Sequence, residues 1–427
     1  MPEDTAILSS ETPPLAERTL PPLWPVATVM ATGIFATTFV QLQGLGYFPF
    51  LALLKDHFGL QEEPAQTFIS LATLPWSFKP LAGLLIDGFP ILGTRRRWYL
   101  LLSALSAVFL WLLMSTVVNH YYPLLLMALA MNIAIVFGSV ASGGLLVEAG
   151  QRYRATGRLS SLRVAAQNLG AALGLPVGGF LAGKAMGLTG LAAAAPLLAL
   201  FIATLFLLHE PERAGRSEDF WRTTWLQLKN VFRSRTLWYA AGVILLLQAM
   251  PGFRGTPLTY YQKGRGFTYQ FLGIVGLLGY AGGMLSGLAY ALVCRKLPLR
   301  VSLYGACVLA ALSALPYLGY SPHVSKTAVI IIEVVSQFAL YLAYLPLFDL
   351  AVRATPKGSE ALGYSVLISF WNIGLMISNQ SGASLYQRVF NRGLSQLVWL
   401  NAGCTLLVAA AVIVLPRVLV DRREGTA

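Results

Sequence analysis

From Trp98 to Val147 the chain runs 50 residues without one Asp, Glu, Lys or Arg. Soluble domains carry about 25% charged residues. This chain carries 11% over 427 residues, with a mean hydropathy of +0.64. A soluble fold of this length cannot cover so much apolar surface. The run is long enough for two segments of the ~20 residues that cross a bilayer, split at 119–123. In lipid every backbone polar group must be satisfied within the protein, so such segments are helices. An all-α membrane protein is expected.

The same reading predicts about twelve spanning helices. They lie at 24–54, 65–86, two within 98–147, a fifth from about 159, a sixth ending near 208, then 237–262, 268–293, 301–320, 328–350, 361–389 and 394–416. The first is dotted with Gln41, Gln43 and Gly44. The seventh is broken by Pro251, Gly252 and Pro257. Between the sixth and the seventh the composition changes abruptly: 209–235 is the most charged stretch, with Trp221 and Trp225 among the charges. It fits an amphipathic segment lying on the membrane surface, or a plain solvated linker. The predicted organisation is a cytoplasmic tail (1–22), an N-terminal six-helix bundle (23–208), a cytoplasmic linker (209–236), a C-terminal six-helix bundle (237–418) and a second tail (419–427).

A net charge of +13 would suggest nucleic acid in a soluble protein. Here 21 of the 31 Lys and Arg fall in 95–97, 152–158, 209–235, 295–300, 353–357, the first tail and 417–427. Seven fall on the other side, and Lys79, Arg163 and Arg254 lie within helices. That asymmetry is the positive-inside signal. It places both termini in the cytoplasm, requires an even number of spans, and leaves no reason to expect a nucleic-acid partner. Residues 1–22 have no basic n-region or apolar h-region, so no signal peptide is expected. The cysteines, Cys294, Cys307 and Cys404, form no CxxC, and the four histidines fall at helix ends without clustering. Neither a metal site, nor a disulfide framework, nor a cofactor is indicated. There is no GxxxxGK[ST] loop for ATP hydrolysis, and no cluster of His, Asp or Glu at one membrane face for an embedded enzyme.

The segment Pro75–Tyr99 reads as one helix ending, a tight charged loop and the next helix starting. Gly83 is suited to close helix approach. Asp87 is placed to accept hydrogen bonds from an arginine at a helix end. Asp87, Arg95, Arg97 and Lys79 are therefore candidate gating residues. The pattern recurs. Gly83, Asp87 and Arg95 match Gly283, Gly287 and Arg295 at an offset of 200, and Glu148, Arg152 and Gly157 match Asp349, Arg353 and Gly358 at 201. In the second set an acid is followed by an arginine at i+4, on one helix face. This adds Glu148, Arg152, Asp349 and Arg353 to the gating candidates. Parallel repeats of six helices are the plan of the major facilitator fold.

These residues resemble a known family. Lys79-Pro80-Leu81, Gly83, Asp87, Pro90-Ile91, Gly93, Arg95-Arg96-Arg97 and Tyr99-Leu100 are similar to the signature of the folate–biopterin transporters, a branch of the major facilitator superfamily. Gln248-Ala249-x-Pro251, Phe271-Leu272-Gly273, Glu148 with Gly157-x-Leu159-x-Ser161, and 358–378 through Tyr364, Ser369, Asn372 and Gly374 extend the resemblance. Two positions depart from it. Ile86 replaces a small polar residue, and Gly143 stands where an aspartate is expected. The resemblance implies import of folates or pterins, with protons. A muropeptide or other small-metabolite permease, and a non-transporting assembly protein of the same fold, are the other readings.

A charge near the bilayer centre costs at least ~2.5 kcal/mol on insertion scales, so it faces a cavity or a partner. Glu333 heads one helical face with Gln337, Tyr341 and Tyr344. That face offers a carboxylate, an amide and two rings to a flat heterocycle. Burial favours the neutral form of a carboxyl group, so Glu333 is also the candidate proton carrier. Arg254, in the broken seventh helix, is a candidate for a substrate carboxylate or for pairing with Glu333. Gln41, Asn132, Gln248 and Asn372, near mid-depth, complete the candidate substrate residues. Arg163 is expected to snorkel. The expected partners are a small organic anion, protons and the lipid bilayer. A monomer in the cell inner membrane is expected.

Overall fold

The structure is a computed structural model describing residues 22–153, 156–210, 218–293, 297–321, 323–356 and 360–421. Residues 1–21 of the predicted first tail, 422–427 of the second, Arg295 and Gly358 lie outside these residues. Among the described residues twelve helical spans follow in order. Span 1 comprises Trp24–Phe39, Tyr47–Ala52 and Leu53–His57; span 2 comprises Glu62–Thr73, Leu74–Phe78 and Lys79–Gly88. Spans 3 to 6 are Arg97–Leu113, Tyr121–Arg152, Thr156–Leu181 and Met186–Leu207. The linker carries a helix, Glu218–Arg233. Span 7 is split into Arg235–Gln248 and Thr256–Gly264; spans 8 to 10 are Tyr269–Val293, Leu299–Leu312 and Lys326–Ala354. Span 11 is Glu360–Ser384 with Leu385–Val389, and span 12 is Leu394–Leu407 with Ala409–Val412.

Nine helices among the described residues are long and apolar enough to cross a bilayer. Spans 1, 7 and 11 do not meet that measure. Two of them are broken, and the third is rich in Asn, Ser and Gln. Large apolar side chains such as Phe109, Leu126, Phe206 and Leu407 stand exposed around the molecule. In water that would be an aggregation surface; in a bilayer it is the lipid-facing coat.

The two sets of six form two bundles. One buried cluster belongs to spans 1–6, centred on Trp111, Phe68 and Phe50, with Tyr260 reaching in from span 7. A second occupies the linker end of spans 7–12 and includes Val231 of the linker helix. A third fills the other end of that bundle and takes in Phe48 and Ala52 of span 1. The bundles thus share apolar packing at the face opposite the linker.

The breaks in the helices have local causes. Pro251 and Gly252 end span 7 early, and the freed backbone is satisfied by neighbours. Ser378 Oγ donates to Met250 O, Gly252 N donates to Ser378 O at 2.9 Å, and Asn401 Nδ2 donates to Pro251 O at 2.8 Å. Span 11 can come this close because residue 382 is glycine: a Cβ there would collide with Gly252 O. The expectation of close approach at Gly83 is met only loosely. A Cβ at that position would still stand 3.8 Å from Val140.

Candidate functional site

A cavity of about 700 Å³ lies between the bundles. This is the size of small-molecule sites generally. Span 1 contributes Gln41, span 2 Trp76 and Lys79, and span 5 Arg163, Gln167 and Asn168. From the other bundle come Tyr280, Tyr341, Phe348, Tyr364, Trp371 and Asn372. Among the described residues the lining holds two cations and no acid. The rings form a continuous aromatic wall. Phe348 stacks on Trp371 with centroids 4.7 Å apart, Trp371 meets Tyr344 edge-on at 4.8 Å, and Tyr341 lies 6.1 Å from both Tyr344 and Tyr280. Tyr341 seats against Gly283, where a Cβ would fall 2.7 Å from its ring.

Trp76 is a node that sequence reasoning missed. Its indole N–H donates to Asn132 Oδ1 at 2.8 Å, and its carbonyl accepts from Asn372 Nδ2 at 2.9 Å. Lys79 Nζ lies 4.3 Å above its ring. Pro75 places this residue in the tight turn Leu74–Phe78, which rotates span 2 between its two α-helical halves.

Glu333 and Gln337 lie behind the wall rather than in it. Glu333 Oε2 accepts from Tyr317 at 2.7 Å, and Oε1 accepts from Gln337 Nε2 at 2.8 Å. Arg254 does not pair with Glu333. Its guanidinium donates to Ser313 O and Oγ at 2.7 and 2.9 Å and lies 5.3 Å from the Tyr317 ring. Tyr317 therefore touches both, by its hydroxyl on one side and its face on the other. Gln248 is buried and packs on Gly374 of span 11. Asn132 lies outside the cavity lining, held by Trp76 and by Ala128 O.

At the face opposite the linker, polar contacts tie the bundles together. Glu62 meets Arg392 at 3.0 Å, Glu63 pairs with Arg388, and Gln61 bonds to Gln387. Tyr260 donates to Leu60 O at 2.8 Å, Tyr47 meets Thr259 at 3.0 Å, Tyr269 donates to Asp56 at 3.2 Å, and Thr256 donates to Gln66. At the linker face the ion pairs among the described residues stay within one bundle. Arg96 joins Asp87 and Glu148 at 2.6 and 3.4 Å, and Asp349 holds Arg353 in two bonds of 2.9 Å. The cavity is thus sealed at one end. Its lining reaches Arg163, Gly287 and Tyr364, near the linker ends of their spans.

The loop before span 3 differs in detail from expectation. Arg96, not Arg95 or Arg97, reaches the acids. The backbone N–H groups of all three converge on the Glu210 carboxylate at 2.9–3.0 Å, at the start of the linker. That wrap leaves the middle side chain pointing into the bundle, over Gly144, where a Cβ would collide with the guanidinium. Arg97 donates instead to Leu205 O. Arg152 does not pair with Glu148 and lies 5.8 Å from the Tyr153 ring. The repeat in sequence is therefore not a repeat in pairing: only the second half closes its own i, i+4 bridge. Arg163 does not snorkel away from the protein interior; it faces the cavity.

The sequence model of the BT1 family matches residues 42–425. The chain is 28% identical over 367 residues to the folate-biopterin transporter of Synechocystis sp. (strain ATCC 27184 / PCC 6803 / Kazusa), covering 82% of this chain and 74% of that one. It is 26% identical over 361 residues to probable folate-biopterin transporter 2 of Arabidopsis thaliana, covering 77% and 69%. In fold it is similar to a single-site mutant of the nucleoside transporter NupG, with a TM-score of 0.71, 14% identity, and 91% of this chain and 99% of that one covered. It is also similar to the D-xylose-proton symporter, with a TM-score of 0.69, 13% identity, and 92% and 98% covered. With its helices, cavity and sequence in agreement, the chain is a multi-pass membrane transporter, not an enzyme, and belongs to the BT1 family.

Proposed function

We propose that the chain is a secondary active transporter that moves a folate- or pterin-type organic anion with protons, by alternating access. One observation carries this reading. The central cavity is cationic and aromatic, and among the described residues ion pairs join the bundles only at the face opposite the linker. A flat heterocycle can lie against Tyr341 and Trp371, hydrogen-bond to Gln41 and Asn372, and present its negative charge to Lys79 and Arg163. The relatives' names, folate-biopterin transporters, fit that chemistry.

Glu333 is the proposed proton carrier. Both its oxygens accept from neutral donors, Tyr317 and Gln337, and no cation is paired with it among the described residues. A carboxyl group held by neutral donors can take up or release a proton without breaking an ion pair. Arg254, Gln248 and Asn132 support the site from behind. Asp87, Arg95, Arg96, Arg97, Glu148, Arg152, Asp349 and Arg353 are the proposed gating set at the linker face. The excess of basic residues there supports a cytoplasmic position for that face and both termini; the cell inner membrane and a monomeric working unit belong to the same proposal. Domain boundaries at 23–208 and 237–418 belong to the same proposal.

The test is uptake by proteoliposomes under an imposed pH gradient. Folic acid or pterin should move with protons and stop when the gradient is collapsed. Neither uptake nor proton movement with any folate or pterin would overturn the reading.

A further inference from the structure

The cavity wall is chemically split. Its two cations, Lys79 and Arg163, belong to the first bundle, while the rings of Tyr280, Tyr341 and Trp371 belong to the second. Neither cation has an acidic partner among the described residues. Lys79 has only Ser139 Oγ, at 3.5 Å, and the Trp76 ring. Arg163 is exposed and lines the same cavity. Gly143 lines the cavity on the neighbouring span, and a Cβ built there meets nothing within 4 Å. So no protein atom fills the space beside Gly143, although a side chain would fit. Gln167 and Asn168, one turn beyond Arg163, add amide donors.

Two like charges lining one cavity are tolerable while water fills it. When the linker face closes and water leaves, both lose their solvation and repel each other. A neutral ring bound to the aromatic wall would leave them unpaired. A ligand bearing two negative charges would neutralise them and favour the closed state by its differential affinity.

We propose that Lys79 and Arg163 form a two-cation seat for a substrate dianion, and that this seat selects a flat ring carrying a dicarboxylate arm over the bare ring. The inference rests on the transporter reading above and assigns the part of the cavity that recognises the arm.

Binding to the purified full-length protein in nanodiscs tests it, with four probes: pterin (no arm), pteroic acid (one carboxylate), folic acid (two) and p-aminobenzoylglutamate (the arm alone). Wild type should bind folic acid above pteroic acid above pterin. Lys79→Gln and Arg163→Gln should each weaken folic acid roughly tenfold or more, with pterin affected far less. Lys79→Arg should retain most of the affinity, which separates charge from folding. Equal losses for pterin and folic acid, or no loss for either, would overturn the seat while leaving the transporter reading intact. Binding of p-aminobenzoylglutamate alone, dependent on both cations, would keep the seat and overturn the folate or pterin assignment. No binding of any probe would overturn both.

Discussion

Arg96 Nη2 lies 2.6 Å from Asp87 Oδ1, and the same nitrogen lies 3.4 Å from Glu148 Oε1. One guanidinium thus ties the end of span 2 to the end of span 4. The Arg96 side chain is 8% exposed and that of Asp87 45%. Half-solvation of the acid brings the pair below the full value of a buried bridge, to about 1–2 kcal/mol. Asp87→Asn should therefore slow turnover severalfold and leave substrate binding unchanged. Transport rate and equilibrium binding measured on the same preparation check this. Unaltered turnover would reduce the loop to an orientation signal.

Glu333→Gln should remove proton-driven accumulation while leaving substrate exchange. The amide keeps the size of the side chain and still meets Tyr317 and Gln337, but carries no titrating proton. Uphill uptake and counterflow distinguish the two outcomes. Wild-type accumulation in this variant would take Glu333 out of the coupling.

Arg392→Ala leaves the Glu62 side chain, 3% exposed, without its cation. An unpaired buried carboxylate disfavours the sealed state. A cysteine introduced at Thr256, beneath that seal, should label severalfold faster from the opposite face in this background. An unchanged labelling rate would mean that the apolar packing of Phe48 and Ala52 suffices to close it.

Gly382→Ala forces a methyl against Gly252 O, where there is no room for one. Overpacking costs about 1–3 kcal/mol even where side chains can shift, and here the obstacle is backbone. A clear fall in Tm is expected in detergent, together with impaired transport, because the break of span 7 is held by span 11. An unchanged Tm would show that the two spans separate freely.

Much of the fold was readable in the residues themselves. Apolar runs of bilayer length marked most spans, and Pro251-Gly252 marked the break in span 7. The i, i+4 rule brought Asp349 to Arg353 because both sit on one helix. The same rule failed at Glu148 and Arg152, since a residue from another helix, Arg96, reached the acid instead. The seal formed by Glu62, Glu63, Arg388 and Arg392 left no local sign. Its partners lie more than 320 residues apart and resemble ordinary loop charges.

Composition, hydrophobic run length and basic-loop asymmetry are local or additive properties, so the chain alone determined its class, its spans and its two-part plan. Which face each polar residue presents depends on helix rotation and on contacts between distant segments. Only the tertiary structure put Glu333 behind the aromatic wall, turned Arg96 inward over Gly144, and brought Arg163 and Lys79 together in one cavity. The physical reason is that a helix offers every direction around its axis, and packing, not sequence period, chooses among them.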